Sequence, residues 1–102
     1  NKVNNGAVNV LREDTARLEN MIWNRAYQAI EEFNVARNTY NNQIKTETVP
    51  VDNDIEAILA GSQAKISHLD NRIGARRMDQ AFVASLLEVT EMSKSISSRI
   101  KE

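Results

Sequence analysis

The sequence predicts an all-α fold: a long antiparallel helical hairpin, or a kinked three-helix version of it, that is coiled-coil-like and dimerises into a helical bundle. Two observations predict it. Val8, Leu11, Thr15, Leu18, Ile22, Ala26, Ala29, Phe33, Ala36, Tyr40 and Ile44 recur three or four residues apart, and no Pro or Gly falls among them. The stripe is roughly three times as long as an average helix of about 11–12 residues, so one helix carrying it needs a partner along its length. The second observation is the lone proline, Pro50, followed by another stretch of helical apolar spacing.

The first helix is expected over about residues 7–47. Asn5 is its candidate N-cap, since a short polar side chain can accept from a free first-turn N–H. Thr48-Val49-Pro50-Val51 then stops it, because Pro50 has no N–H and forces Val49 out of the helical region. A tight turn is expected at 48–52. Asp52 and Asn53 are the next cap candidates, and Asn53 with Glu56 has capping-box spacing.

The second helix is expected over about residues 53–101. Ile55, Leu59, Ser62, Ile66, Leu69 and Ile73 mark its apolar face. Gly61 within it is expected to let the first helix approach closely. After Ile73 the phase slips: Gly74, Ala75, Arg76 and Arg77 intervene before Phe82, Val83, Leu86, Val89, Ser93, Ile96 and Ile100 resume. The slip means a stutter in one continuous helix or a break near 74–79, with Asp79 available to cap a third helix. A continuous or kinked helix pairing with the whole of the first is the favoured arrangement.

Composition narrows the function classes. The chain has 102 residues, so it is one domain, and it carries a formal charge of −1 with acids and bases interspersed. Such a balance gives no pull towards nucleic acid. Cysteine is absent, which removes disulfides and thiolate sites. No apolar run approaches the ~18 residues of a membrane span. The chain starts at Asn1, so a membrane anchor upstream, or one after Glu102, stays open.

Candidate chemistry is sparse. Asp52, Asp54 and Glu56 cluster, but Ala57 holds the place where a calcium loop needs Gly, and acids suit a helix start without any metal. His68 has no His or Cys at metal-ligand spacing. No metal, cofactor or small-molecule substrate is therefore expected. Lys65, Arg72, Arg76 and Arg77 form the one basic concentration. Asp70, Asp79 and Glu88 dilute it, so a solvated, salt-bridged face is the first reading and a functional patch the second. Trp23, Tyr27, Phe33 and Tyr40 hold most of the aromatic mass. Phe33 and Tyr40 lie on the stripe, where core packing is the default, and Leu69 lies on the second seam; Trp23 and Tyr27 lie off the stripe, one turn apart, and either pack under a second helix or subunit or present a partner surface. These five are the candidate partner interface, for a second copy or another helical protein.

Asn24-Arg25, Phe33-Asn34-Val35, Tyr40-Asn41 with Ile44, and Pro50 resemble the long-helix pattern of LemA-like proteins, especially their magnetosome branch. Arg12-Glu13-Asp14-Thr15 resembles an early stretch of that branch. Arg76-Arg77 with Asp79 and Leu86-Leu87 resemble the family's first-helix motif, which there precedes the Tyr-Asn helix and here follows it. The resemblance implies a bacterial, membrane-anchored helical bundle without catalysis, and for that branch a part in forming the magnetosome membrane.

The leading expectation is a non-catalytic structural or interaction module, the soluble part of a membrane-associated protein. A helical sensor domain of a membrane receptor predicts a second membrane span. A secretion-chaperone-like hairpin predicts a soluble partner and no anchor. An all-α chorismate mutase would draw on Arg12, Arg25, Lys45, Glu56 and Ser93, whose spacing does not match that family.

Overall fold

The computed structural model describes the backbone of residues 2–100 and the side chains of residues 12–100. It contains three helices: α1 (Lys2–Lys45), α2 (Asn53–Gly74) and α3 (Gln80–Ile100). No strand occurs among the described residues. The molecule measures 69 × 22 × 16 Å with a radius of gyration of 18.5 Å, well above the ~13 Å of a compact chain of this size. Its length is that of α1, whose 44 residues span roughly 66 Å at about 1.5 Å each.

α2 and α3 do not run the length of α1. Both fold onto its C-terminal half, as a three-helix bundle with Trp23, Ala26, Ala29, Phe33, Ala36 and Tyr40 of α1 on the seam. Facing them are Ile55, Leu69 and Ile73 of α2 and Phe82, Val89, Met92 and Ile96 of α3. The continuous second helix is thus corrected to two helices, and α1 is left to project beyond the bundle.

The phase slip supplies the physical reason. Continuing the α2 seam in helical steps beyond Ile73 would bring Arg76 and Gln80 to the apolar face, with Val83 and Leu87 after them. The stronger face of α3, containing Phe82, Val89 and Ile96, lies out of register with that line. Breaking the helix and turning back buries it completely, each of these three at 0% exposure. Val83 and Leu87 then point outwards, 49% and 64% exposed.

Local chemistry makes both breaks definite. α1 ends in a Schellman turn, in which Thr48 N–H donates to Gln43 O (2.9 Å) and Glu47 N–H to Ile44 O (3.1 Å). α2 ends the same way, with Arg77 N–H on Arg72 O and Arg76 N–H on Ile73 O, both 3.0 Å. The left-handed residues are Glu47 (φ 59°) and Arg76 (φ 57°), neither of them glycine. Asp52 caps α2 through Oδ1, accepting from Asp54 N–H (2.9 Å) and Ile55 N–H (3.2 Å). Asp79 caps α3 through Phe82 N–H (2.8 Å).

Several finer expectations are corrected. Asn5 lies inside α1, which begins at Lys2, so it is not the cap. Val8 and Leu11 belong to the stripe by sequence, but their side chains lie outside the described residues. The Asn53–Glu56 capping box does not form; Asp52 is the cap, and the Glu56 carboxylate accepts from Tyr40 instead. Gly61 makes no close approach, since a Cβ built there meets nothing within 4 Å. Gly61→Ala is therefore expected to stabilise the chain by about 1 kcal/mol, the ordinary helix-propensity gain. Glu47→Gly, which relieves a left-handed residue, is expected to add roughly another 1 kcal/mol. Urea titration of the single and double variants checks both gains and their additivity.

Candidate functional site

Three regions gather polar or exposed apolar side chains. The first is the closed end of the bundle, where α1 ends, α2 begins and α3 ends. The Tyr40 hydroxyl donates to Glu56 Oε1 (3.0 Å) and accepts from Asp52 N–H (3.0 Å). Arg99, in the last turn of α3, donates from Nε to Asp52 Oδ2 (2.7 Å) and reaches Asp54 Oδ2 with its second nitrogen (3.0 Å). A groove of about 740 Å³ opens beside them, bounded by residues 48–55 and Ile100. These polar groups answer one another across all three helices, so the cluster acts as a latch. The Arg99 guanidinium holds the Asp52 carboxyl below the usual carboxylate range, and burial pushes the Tyr40 phenol up.

The second region is the basic concentration, at the α2–α3 turn. Arg72 forks onto both Asp79 oxygens (2.8 and 2.9 Å) and donates from Nε to His68 Nε2 (3.0 Å). Arg77 lies 3.7 Å from Asp79. Arg76 covers the Trp23 ring at 5.7 Å. Lys65 is a turn or more away along α2 and pairs with Glu88 of α3 at 2.8 Å. Arg72, Arg76 and Arg77 are thus drawn together, Lys65 is not among them, and each is engaged within the chain. The backbone N–H of Phe82, ahead of Arg72, holds the Asp79 carboxyl low.

Asp52 and Asp79 set an acid limit. Their folded values lie below the usual carboxylate range, so the stability they contribute is complete above that range and is lost as pH falls through the lowered values. Thermal midpoints are expected to stay flat down to about pH 5 and to drop below about pH 4. Asp52→Asn with Asp79→Asn, which keeps capping oxygens but no charge, should flatten that acid drop in a pH series of melting curves.

The third region is α1 before the bundle begins. Leu18 (59% exposed), Met21 (60%) and Ile22 (38%) stand uncovered there. Arg12, Glu13, Asp14, Arg17 and Glu19 surround them, all exposed. Asp14 and Arg17 pair with each other at 3.5 Å. Sequence spacing placed Leu18 and Ile22 on the same stripe as Phe33 but could not show that the cover ends at Trp23.

Of the expected interface residues, Trp23, Phe33, Tyr40 and Leu69 are buried within the single chain, and Tyr27 alone is exposed, at 47%. Trp23, off the heptad stripe, is brought inward by Phe82, whose ring meets it edge-on at 4.9 Å and 66°. Arg99 and the Tyr40 hydroxyl escaped the sequence reading. Acids in the first turn of α2 and a base in the last turn of α3 were the available signal, because antiparallel neighbours bring those ends together.

Among the described residues no group of three or more His, Cys, Asp or Glu side chains is placed to hold a metal. No helix among them is long and apolar enough to cross a membrane. Comparison with protein-family models, with curated proteins and with solved structures gave no match, so function is read from the geometry.

Proposed function

We propose that the chain is a non-catalytic helical interaction module: a three-helix bundle that holds out one end of α1 as its working surface. The projecting stretch carries the reading, because Leu18, Met21 and Ile22 are exposed on a helix that continues out of the core. An isolated apolar helical stripe gains stability only when something covers it. The polar clusters favour the same reading. Tyr40, Asp52, Glu56 and Arg99 at one end, and Arg72 and Asp79 at the other, spend their hydrogen bonds on joining helices. Association with a membrane assembly is supported by the LemA-like elements around Asn24-Arg25, Phe33-Asn34 and Tyr40-Asn41.

The test compares native complex size in gentle extracts of cells expressing wild type or Leu18→Asp/Ile22→Asp. The double variant is expected to elute at the size of the chain alone, and Leu18→Asp by itself, at a residue 59% exposed, is expected to keep its melting temperature. An assembly unchanged in the variant would reject the projecting stretch as the working surface. Carbonate extraction of the native membrane fraction tests the membrane part, with full release of the protein counting against it.

A further inference from the structure

We infer that the working surface runs on from the projecting end of α1 along the outer groove between α1 and α3, and that one amphipathic helix of a different protein occupies it. That helix is apolar at both ends of its seam and polar in the middle, with bases on one flank and acids on the other. This rests on the reading of the projecting end as the working surface.

Helical spacing makes the track continuous. α1 and α3 run parallel, since Phe82 meets Trp23 at one end and Arg99 reaches Asp52 beside Tyr40 at the other. A groove of about 620 Å³ lies on their outer side, with Gln28, Glu32, Val35 and Thr39 on the α1 wall and Lys94 and Ser97 on the α3 wall. No residue of α2 lines it. Followed backwards in threes and fours, the α1 row passes Arg25, Met21 and Leu18. The α3 row passes Thr90, Leu87 and Val83. Leu18, Met21, Val35, Val83 and Leu87 are each between 49% and 64% exposed. Two parallel rows at this spacing offer the holes into which a further helix sets its side chains.

Charge identifies the occupant. Arg25 and Glu32, two turns apart on the track, pair at 3.8 Å, so the seam position facing them takes a polar side chain rather than an apolar one. Glu31 stands on the α1 wall and Lys94 on the α3 wall, and neither forms an ion pair among the described residues. A helix lying between them answers both with a base on the α1 side and an acid on the α3 side. A second copy fits less well. The one helical stretch it offers free of its own bundle precedes Trp23, and turning Leu18 and Met21 inward brings Asp14 in with them, towards the acids of the α1 wall.

A labelled peptide of about 21 residues, roughly 32 Å long as a helix, tests the inference. It carries leucines at the seam ends, glutamine at the seam centre, lysines on one flank and glutamates on the other. Fluorescence anisotropy is expected to show micromolar binding to the wild-type chain. Peptides with all-lysine or all-glutamate flanks should bind about fivefold more weakly, and Lys94→Glu should turn the preference to the all-lysine peptide. Leu87→Asp and Val35→Asp, at residues 64% and 59% exposed, should each weaken binding about tenfold while keeping the melting temperature. Failure of all three peptides to bind, or binding indifferent to both aspartates, would overturn the inference. So would sedimentation showing the chain paired with itself through Leu87, which assigns the track to a second copy. A native complex lost in Leu18→Asp/Ile22→Asp but kept in Leu87→Asp would leave the projecting end as the working surface and remove the groove from it.

Discussion

Phe33→Asp is expected to leave the chain unfolded at room temperature. Phe33 is at 0% exposure in the middle of the α1 seam, with the Arg37 guanidinium 5.8 Å from its ring centre. Truncating a buried Phe costs about 3–5 kcal/mol through lost burial and the cavity left behind. A carboxylate placed there adds several kcal/mol of desolvation, which Arg37 at the rim offsets only in part. A domain of this size has on the order of 5–15 kcal/mol in all. Leu69→Asp, at 0% exposure on α2, should behave alike. Val35→Asp is the control, because Val35 sits on the same helix at 59% exposure; it should change stability by no more than about 0.5 kcal/mol. Far-UV circular dichroism at 222 nm reads all three. Native helix content and melting in Phe33→Asp would mean that the seam is assigned to the wrong face of α1.

The same residues show what was legible in the sequence. Phe33, Tyr40 and Leu69 are found by spacing alone, because a helix that buries one face must repeat its apolar residues every three or four positions. The turn at Pro50 and the cap at Asp79 are likewise local, since a missing N–H and a carboxylate beside free N–H groups act without tertiary context. The break after Gly74 was visible as a phase slip, but its outcome was not. Whether Phe82 continues the hairpin or turns back depends on which face of α3 finds the larger apolar surface. That is a comparison between two tertiary arrangements of identical local sequence. Trp23 stayed undecided between burial and a partner surface for a related reason: in a three-helix bundle the buried arc of α1 is wider than a two-helix seam, and it reaches positions that heptad spacing excludes.

The candidate surface divides along the same line. The stripe through Leu18 and Ile22 is readable residue by residue, yet the stripe is equally apolar where it is covered and where it is not. Only the lengths of α2 and α3, 22 and 21 residues against 44 for α1, reveal that the cover stops short of Leu18. The basic residues show the converse. Arg72, Arg76 and Arg77 read in sequence first as a salt-bridged face, diluted by Asp79, but the Trp23 ring under Arg76 is visible only in space.

Trp23→Ala is expected to cost about 3–5 kcal/mol, as large a loss as any non-polar truncation in the chain. Trp23 is 4% exposed, yet it stands at the end of the bundle where α1 emerges. Its ring is the edge-on partner of Phe82 in the first turn of α3 and the platform under Arg76, the left-handed residue of the α2–α3 turn. Removing it should therefore loosen that turn before it loosens the latch at Tyr40 and Arg99, which lies at the other end of α2 and α3. Amide exchange is the discriminating measurement: protection should fall most at the N-terminus of α3 and the C-terminus of α2, and least around Asp52. A uniform loss of protection would show the bundle opening as one unit. Trp23→Phe, which keeps an aromatic ring against Phe82, should recover more than half of the loss. Because Trp23 is the one tryptophan, its fluorescence in the wild type reports this junction directly.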